Sequence, residues 1–415
     1  MERPTPKIVQ HSTTDGALTL VFDEVRTSAP DHGGILSGWQ WEGLRGKLLR
    51  AGFDPSAVKL LLLEDLRNSG EGTNGIYVGF GESVLRHFTN RRGVDKWHLS
   101  RFDVSGGSFI PTFDLGRVNK QYELNLYQEV ALHRAREYCV APPQPPVERF
   151  LLNPPLEETY AILAMLTEAE EIAVDVETGY GQINTVGFAW SERDAIAINV
   201  LPDRCVDDSY FELWKRIQAV LESPSRKIFQ NFIYDTSYFS AYGIKTRGEI
   251  FDTMHAMKVL WPELDSNLGN VGRMYTRRPY WKDDGKVESE EGKKKDWGNV
   301  RDWTKHYTYN CRDTTGTLES SRRMRADLEA RGLAKFYSDY LTRLKGPVRE
   351  MCATGFPVCG ETRDRIAKET EARVESLTKT LQEKAGLKLI LCPRCQNFTC
   401  FFMRGGLLVL TYFFP

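Results

Sequence analysis

Hydrophobic and polar positions alternate most clearly in the middle of the chain. EEIAVDVETG (residues 170–179) is an apolar run ending in acids, and TVGFAW (185–190) and AIAINV (195–200) follow with β-branched alternation, so successive strands are predicted. Beyond them the period changes. Phe211 to Leu221 (FELWKRIQAVL) has helical spacing, KIFQN (227–231) reads as a short buried strand finished by Gln230 and Asn231, and YDTSYFSAYG opens a helix that ends at Gly243. From Trp303 onward the chain is helix-rich. Residues 363–386 carry apolar or small residues at a spacing suited to an amphipathic helix closed by Gly386. The pattern is mixed α/β, with no internal repeat.

Two interruptions organise this pattern. Ala141 to Pro155, APPQPPVERFLLNPP, holds six prolines that neither a helix nor a central strand accommodates, so an extended connector is predicted after an N-terminal domain of residues 1–140. The run from Lys282 to Lys295, KDDGKVESEEGKKK, is polar and of mixed charge and reads as a solvated loop. The expected layout is therefore 1–140, a connector at 141–155, a second domain at 156–335, a helical stretch at 336–390 and an atypical tail at 391–415.

Composition adds little direction. At 415 residues the length suggests two or three domains, and a net charge of −1 excludes a global basic field, so any nucleic-acid contact is local. The N-terminus lacks signal-peptide features and no apolar run reaches the length of a membrane span, so a cytoplasmic protein is expected. Most of the eight cysteines are scattered, which points to reduced thiols. Cys392 and Cys395 have zinc spacing, but a structural site takes four ligands and only Cys400 is near.

The candidate chemistry is acidic. Asp175 and Glu177 stand two apart at the end of a predicted strand, where alternation puts both carboxylates on one face. Asp235 follows KIFQN by one helical turn, in a place that a helix dipole also favours for any acid. Tyr309 and Asp313 are four apart in HYTYNCRDTTGT and share a helix face. Each element alone is commonplace. Their order within one domain-sized stretch is not.

These residues resemble the DEDDy exonuclease superfamily, specifically the 3′-5′ proofreading domain of family A, polymerase I-type DNA polymerases. DVET resembles its first motif, FQNFIYDTSYF its second and YNCRDTTGT its third, and FDTMHAMKVLWPELDSNLGNVGRMYT resembles the stretch between them. The resemblance implies an RNase H-like α/β exonuclease domain with a mixed sheet, and hydrolysis at a DNA 3′ end assisted by two Mg²⁺ or Mn²⁺ ions. It implies that Asp175 bridges both ions, that Glu177 and Asp313 complete the one on the nucleophile side, and that Asp235 holds the other, largely through water. Tyr309 would orient the attacking water. Gln230, Asn231, Thr178 and Tyr234 would contact the terminal nucleotides.

Residues 17–140 resemble, in layout, the uracil-DNA glycosylase-like fold: ALTLVFDEV, then a Gly-Leu-Arg helix, then FIPTFDLGR. Where that family places His-Pro-Ser, this chain has Asp114, Leu115 and Gly116, and the early loop is reduced to Asp23, Glu24 and a distant Pro30. The departures imply a retained fold that binds DNA or a partner rather than an active glycosylase. After Leu341 the sequence resembles the start of a polymerase thumb, and the remaining residues leave no room for a catalytic palm; truncation, a frameshift or a split gene that places the polymerase on another chain would each account for such an ending. A front end of this kind suits phage polymerases. Two alternatives remain: an RNase D-like RNA-processing exonuclease, and a non-catalytic DNA-binding fragment.

Overall fold

The computed structural model describes residues 18–23, 36, 38–69, 75–141, 144, 146–201, 208–282, 300, 302–385, 399–403 and 406–410. They form two compact units, residues 1–349 and 350–415, and the first contains two sheets.

The first sheet is built from β1 (Leu18–Phe22), β2 (Lys59–Leu62), β3 (Gly75–Phe80), β4 (Phe102–Val104) and β5 (Gly107–Thr112), in the order β2-β1-β3-β5-β4. All neighbours are parallel except β4, which runs against β5. Helices intervene between the strands: α1 (Gly38–Arg50), α2 (Leu63–Ser69), α3 (Glu82–Thr89) and α4 (Val94–Trp97), followed after β5 by α5 (Leu115–Lys120) and α6 (Asn125–Val140). β1 is buried along its whole length, as a parallel strand covered on both faces must be.

The second sheet has six strands: β6 (Arg149–Leu152), β7 (Glu171–Gly179), β8 (Gln182–Ala189), β9 (Asp194–Asn199), β10 (Arg226–Phe229) and β11 (Ile250–Asp252). Their order is β11-β10-β7-β8-β9-β6. β7, β8 and β9 form an antiparallel meander, whereas β10 and β11 lie parallel to β7 and β6 lies parallel to β9. The helices here are α7 (Leu156–Thr167), α8 (Asp208–Glu222), α9 (Phe232–Ala241), α10 (Thr253–Leu260), α11 (Leu268–Tyr275), α12 (Trp303–Ala330) and α13 (Ala334–Thr354). α12 packs across β7, β8 and β9. That placement carries its buried face, Tyr309 and Asp313 included, to the acids of β7.

Three local expectations change. Arg149–Leu152, within the proline-bearing connector, is an edge strand, because its backbone pairs with the open side of β9. The strand before α9 stops at Phe229, and Gln230 and Asn231 make the turn that follows, with Asn231 in the left-handed region at φ 69°. Lys282, the first residue of the polar run, is mostly buried rather than solvated. The remainder of that run, Glu24, Pro30, Gly386, Cys392 and Cys395 lie outside the described residues, and so does the Cys400 side chain.

The two sheets meet through α6 and α11. Arg134 on α6 is buried and donates to the carbonyls of Leu99, Arg273, Met274 and Thr276, so a cation closes the C-terminal end of α11, where carbonyls lack helical partners. Asn270 of α11 donates to Tyr127 at 2.8 Å, and Arg273 donates to the Lys96 carbonyl at 2.8 Å. The second unit contains α14 (Gly360–Ala385) and a hairpin of β12 (Thr399–Met403) and β13 (Gly406–Leu410); Ile366, Val374, Leu377 and Leu381 on α14 are exposed. No helix of the described residues is long and apolar enough to cross a membrane.

Candidate active site

Asp175 and Glu177 lie on β7, on the face covered by α12. One carboxylate oxygen from each of Asp175, Glu177 and Asp313 lies within 4.8 Å of the others. Period-2 alternation sets the first two on one side of the strand, and a register shift between Glu177 and Thr178 ends the regular ladder just beyond them. Glu177 and Asp313 are buried, and Asp175 keeps some exposed surface.

Asp235, in the first turn of α9, is buried and accepts from the backbone N–H of Val176 at 3.0 Å, which ties α9 to β7 between the two strand acids. Asp175 acts on it as a like-charged neighbour, although Asp235 is outside the tight trio. Burial and the charge of Asp313 push the Asp175 carboxyl up to about 8, against the opposing pull of Lys282 and Asn310. Asp235 is likewise raised, by burial and then by Asp175. Carboxyls crowded in this way gain from a cation among them.

Tyr309 projects one turn before Asp313 on α12 and is buried, and its phenol accepts from the Lys282 ammonium. Burial, then the charges of Asp313, Glu177 and Asp175, raise its titration far above the usual phenol range. The phenol is therefore protonated at neutral pH, a hydrogen-bonding group rather than a base.

Three neighbours escaped the sequence reading. Asn310 donates its side-chain amide to Asp175 Oδ2 at 2.7 Å. Trp281 donates its indole N–H to Asp313 Oδ1 at 2.6 Å, and Lys282 donates to Asp313 Oδ2 at 2.6 Å. Burial disfavours the Lys282 charge, but Asp313, Glu177 and Asp175 outweigh it and raise the ammonium above its ordinary range. Asn310 stands beside Tyr309 in the third motif, which is a signal of a kind. Trp281 and Lys282 had none, since nothing local ties RPYWK to an acid more than thirty residues on.

The expected strand-contacting residues divide. Tyr234 is exposed, and its hydroxyl shares a 2.7 Å hydrogen bond with Thr178 at the rim. Gln230 is engaged within the protein, its amide nitrogen donating to the Ser266 carbonyl at 2.8 Å and its oxygen accepting from Thr253 at 2.5 Å. Asn231 donates its backbone N–H to Asp252, and Phe232 does the same at 2.7 Å. Asp252 also caps α10, through the N–H groups of Met254 and His255. One buried carboxylate thus anchors the turn that aims α9.

Residues 155–294, about a third of the chain, match the 3′-5′ exonuclease family of the DNA polymerase A type, and this stretch is a 3′-5′ exonuclease domain. The fold is mixed α/β. The match ends before Tyr309 and Asp313, whose membership of the site rests on the packing of α12. Solved structures that are similar include Escherichia coli RNase D, described as an exoribonuclease involved in structured RNA processing, at 17% identity over 49% of this chain and 50% of that one, with a TM-score of 0.38. The POL domain of Pol1 from M. smegmatis, in complex with DNA primer-template and dNTP, is 14% identical over 60% of this chain and 39% of that one, TM-score 0.41. Brucella melitensis NrnC is 16% identical over 51% of this chain and 94% of that one, TM-score 0.37. The alignment with RNase D spans half of that protein's length. No curated protein sequence matches the chain.

Proposed function

We propose that the chain removes nucleotides from DNA 3′ ends and serves as the editing nuclease of a family A polymerase. The observation that carries this reading is the convergence of Asp175, Glu177 and Asp313 within 4.8 Å, beside the buried Asp235. Hard oxygen donors at this density suit Mg²⁺ or Mn²⁺ better than softer metals. Asp175, Glu177 and Asp313 would hold one ion, and Asp235 with Asp175 a second. Such ions lower the pKa of an attacking water and neutralise charge building on the phosphate and the departing 3′ oxygen.

The chain's own groups do the rest. Tyr309, with its proton retained, aligns a water by hydrogen bonding. Asn310 fixes the rotamer of Asp175. Tyr234 and Thr178, joined at the rim, offer an aromatic face and hydroxyls to an unpaired terminus, and a mismatched end reaches such a rim more easily because less pairing must be broken.

For residues 17–140 we read a uracil-DNA glycosylase-like fold that has lost excision chemistry. The parallel order β2-β1-β3-β5 supports it, as does Asp114, whose carboxylate caps α5 by accepting from Arg117 N–H at 2.8 Å. A uracil-excision assay on this protein should be negative.

Matched DNA and RNA oligonucleotides, labelled at the 5′ end and incubated with Mg²⁺ or Mn²⁺, test the main reading. DNA should shorten from its 3′ end with release of nucleoside monophosphates, faster at a mismatched terminus. The Asp175→Ala/Glu177→Ala double variant should be inactive, and full retention of activity would sink the proposal. Preferential digestion of RNA would transfer the site to RNA processing. Absence of both cleavage and divalent-ion binding would leave a nucleic-acid-binding fragment.

A further inference from the structure

The ammonium of Lys282 reaches the carboxylate cluster through Asp313. It donates to Asp313 Oδ2 at 2.6 Å and to the Tyr309 hydroxyl, lies 4.4 Å from the centroid of the Tyr309 ring, and feels Glu177 and Asp175 as further attractive charges. The other oxygen of Asp313 is held by Trp281. These two neighbours differ in how easily they can leave. Trp281 is wedged between α11 and α12: a Cβ added at Gly272 would stand 2.7 Å from its ring, and one added at Gly316 2.8 Å. The slot exists only because both positions are glycine. Lys282 reaches the same carboxylate through four methylenes, so its head can withdraw while its backbone stays with Trp281.

We propose that Lys282 is an internal counter-ion that stands in for the divalent cation, holding the acid cluster together in the metal-free protein and yielding Asp313 when the metal loads. The inference rests on the reading of Asp175, Glu177 and Asp313 as metal ligands. Three acids gathered in a partly buried pocket repel one another, and one ammonium among them relieves the repulsion without filling the site with metal. The same ammonium opposes an incoming cation, by charge and by occupying an Asp313 oxygen. Two consequences are opposite in sign. Removing the charge should weaken the metal-free protein and strengthen metal binding.

The test is calorimetric titration of Mn²⁺ into the full chain, for the wild type, Lys282→Met and Lys282→Arg, with thermal melts in EDTA and in saturating Mn²⁺. Lys282→Met should bind Mn²⁺ about tenfold more tightly or better, melt below wild type in EDTA, and recover most of that difference in Mn²⁺. Lys282→Arg, which keeps the charge, should bind close to wild type. If Lys282→Met fails to fold, Lys282→Gln replaces it with the same expectations. Unchanged or weaker Mn²⁺ binding by the neutral variants overturns the counter-ion role while leaving the metal site intact. Failure of every protein to bind Mn²⁺ overturns the metal-site reading and this inference together.

Discussion

Asn310 reaches Asp175 across a gap that only Gly187 leaves open. The amide donates to Asp175 at 2.7 Å, and a Cβ added at Gly187, the cross-strand partner of Asp175, would stand 2.1 Å from Asn310 Oδ1. Gly187→Ala should therefore destabilise the protein by about 1–3 kcal/mol through overpacking and turn Asn310 away from Asp175. Asn310→Ala should keep most of the stability but lower nuclease activity. Urea denaturation and oligonucleotide digestion check the pair, and wild-type behaviour in Gly187→Ala would show that α12 shifts without penalty.

Trp281 holds Asp313 by a rigid donor. In Trp281→Phe that donor is gone while most of the ring remains, so stability should fall by only about 1 kcal/mol and activity by more than that loss explains. Gly316→Ala presses on the same ring from α12. It should mimic Trp281→Phe in activity and exceed it in lost stability, measured by thermal melts alongside digestion rates.

Asp252 governs the aim of α9. Its carboxylate is fully buried and accepts from the N–H groups of Asn231, Phe232, Met254 and His255. Asp252→Ala leaves these donors unmatched and should cost about 2–3 kcal/mol. Because α9 carries Asp235, activity should fall with it, even well below the melting temperature. An unaltered digestion rate would mean that the Asp235–Val176 bond suffices to place the helix.

Two histidines set an acid limit on stability. Burial, with Arg273 adding to it, lowers His98 to about 3, and burial lowers His306 to about 4. Above the ordinary value of 6.5 each ring is neutral whether the chain is folded or not, so neither affects stability. Below it the unfolded chain takes up protons that the native rings refuse, so stability falls as the pH drops, down to the native values. Between pH 7 and pH 5 each ring should contribute a loss of roughly 2 kcal/mol. Replacing His98 or His306 by Gln should flatten the wild-type difference between those pH values in urea titrations, and an undiminished difference would remove that ring from the account.

Strand and helix periods were legible without any fold. Alternation put Asp175 and Glu177 on one face of β7, and four-residue spacing put Tyr309 and Asp313 on one face of α12, because each period is a property of the local backbone. Local breakers were read less well. The prolines before β6 hid an edge strand, since pairing with β9 depends on a partner 45 residues away in sequence and not on the connector's composition. Polarity misread Lys282, since charge predicts exposure only where no opposite charge is waiting inside.

What the sequence alone determined, then, was which acids face the same way on their own element. Which elements meet was decided by packing. Asn310 joins Asp175, and Trp281 and Lys282 join Asp313, because α12 crosses the β7–β9 meander and two glycines admit an indole between α11 and α12. Contacts between residues 31 to 135 positions apart depend on the volumes and gaps of a closed core, and no local period carries that information.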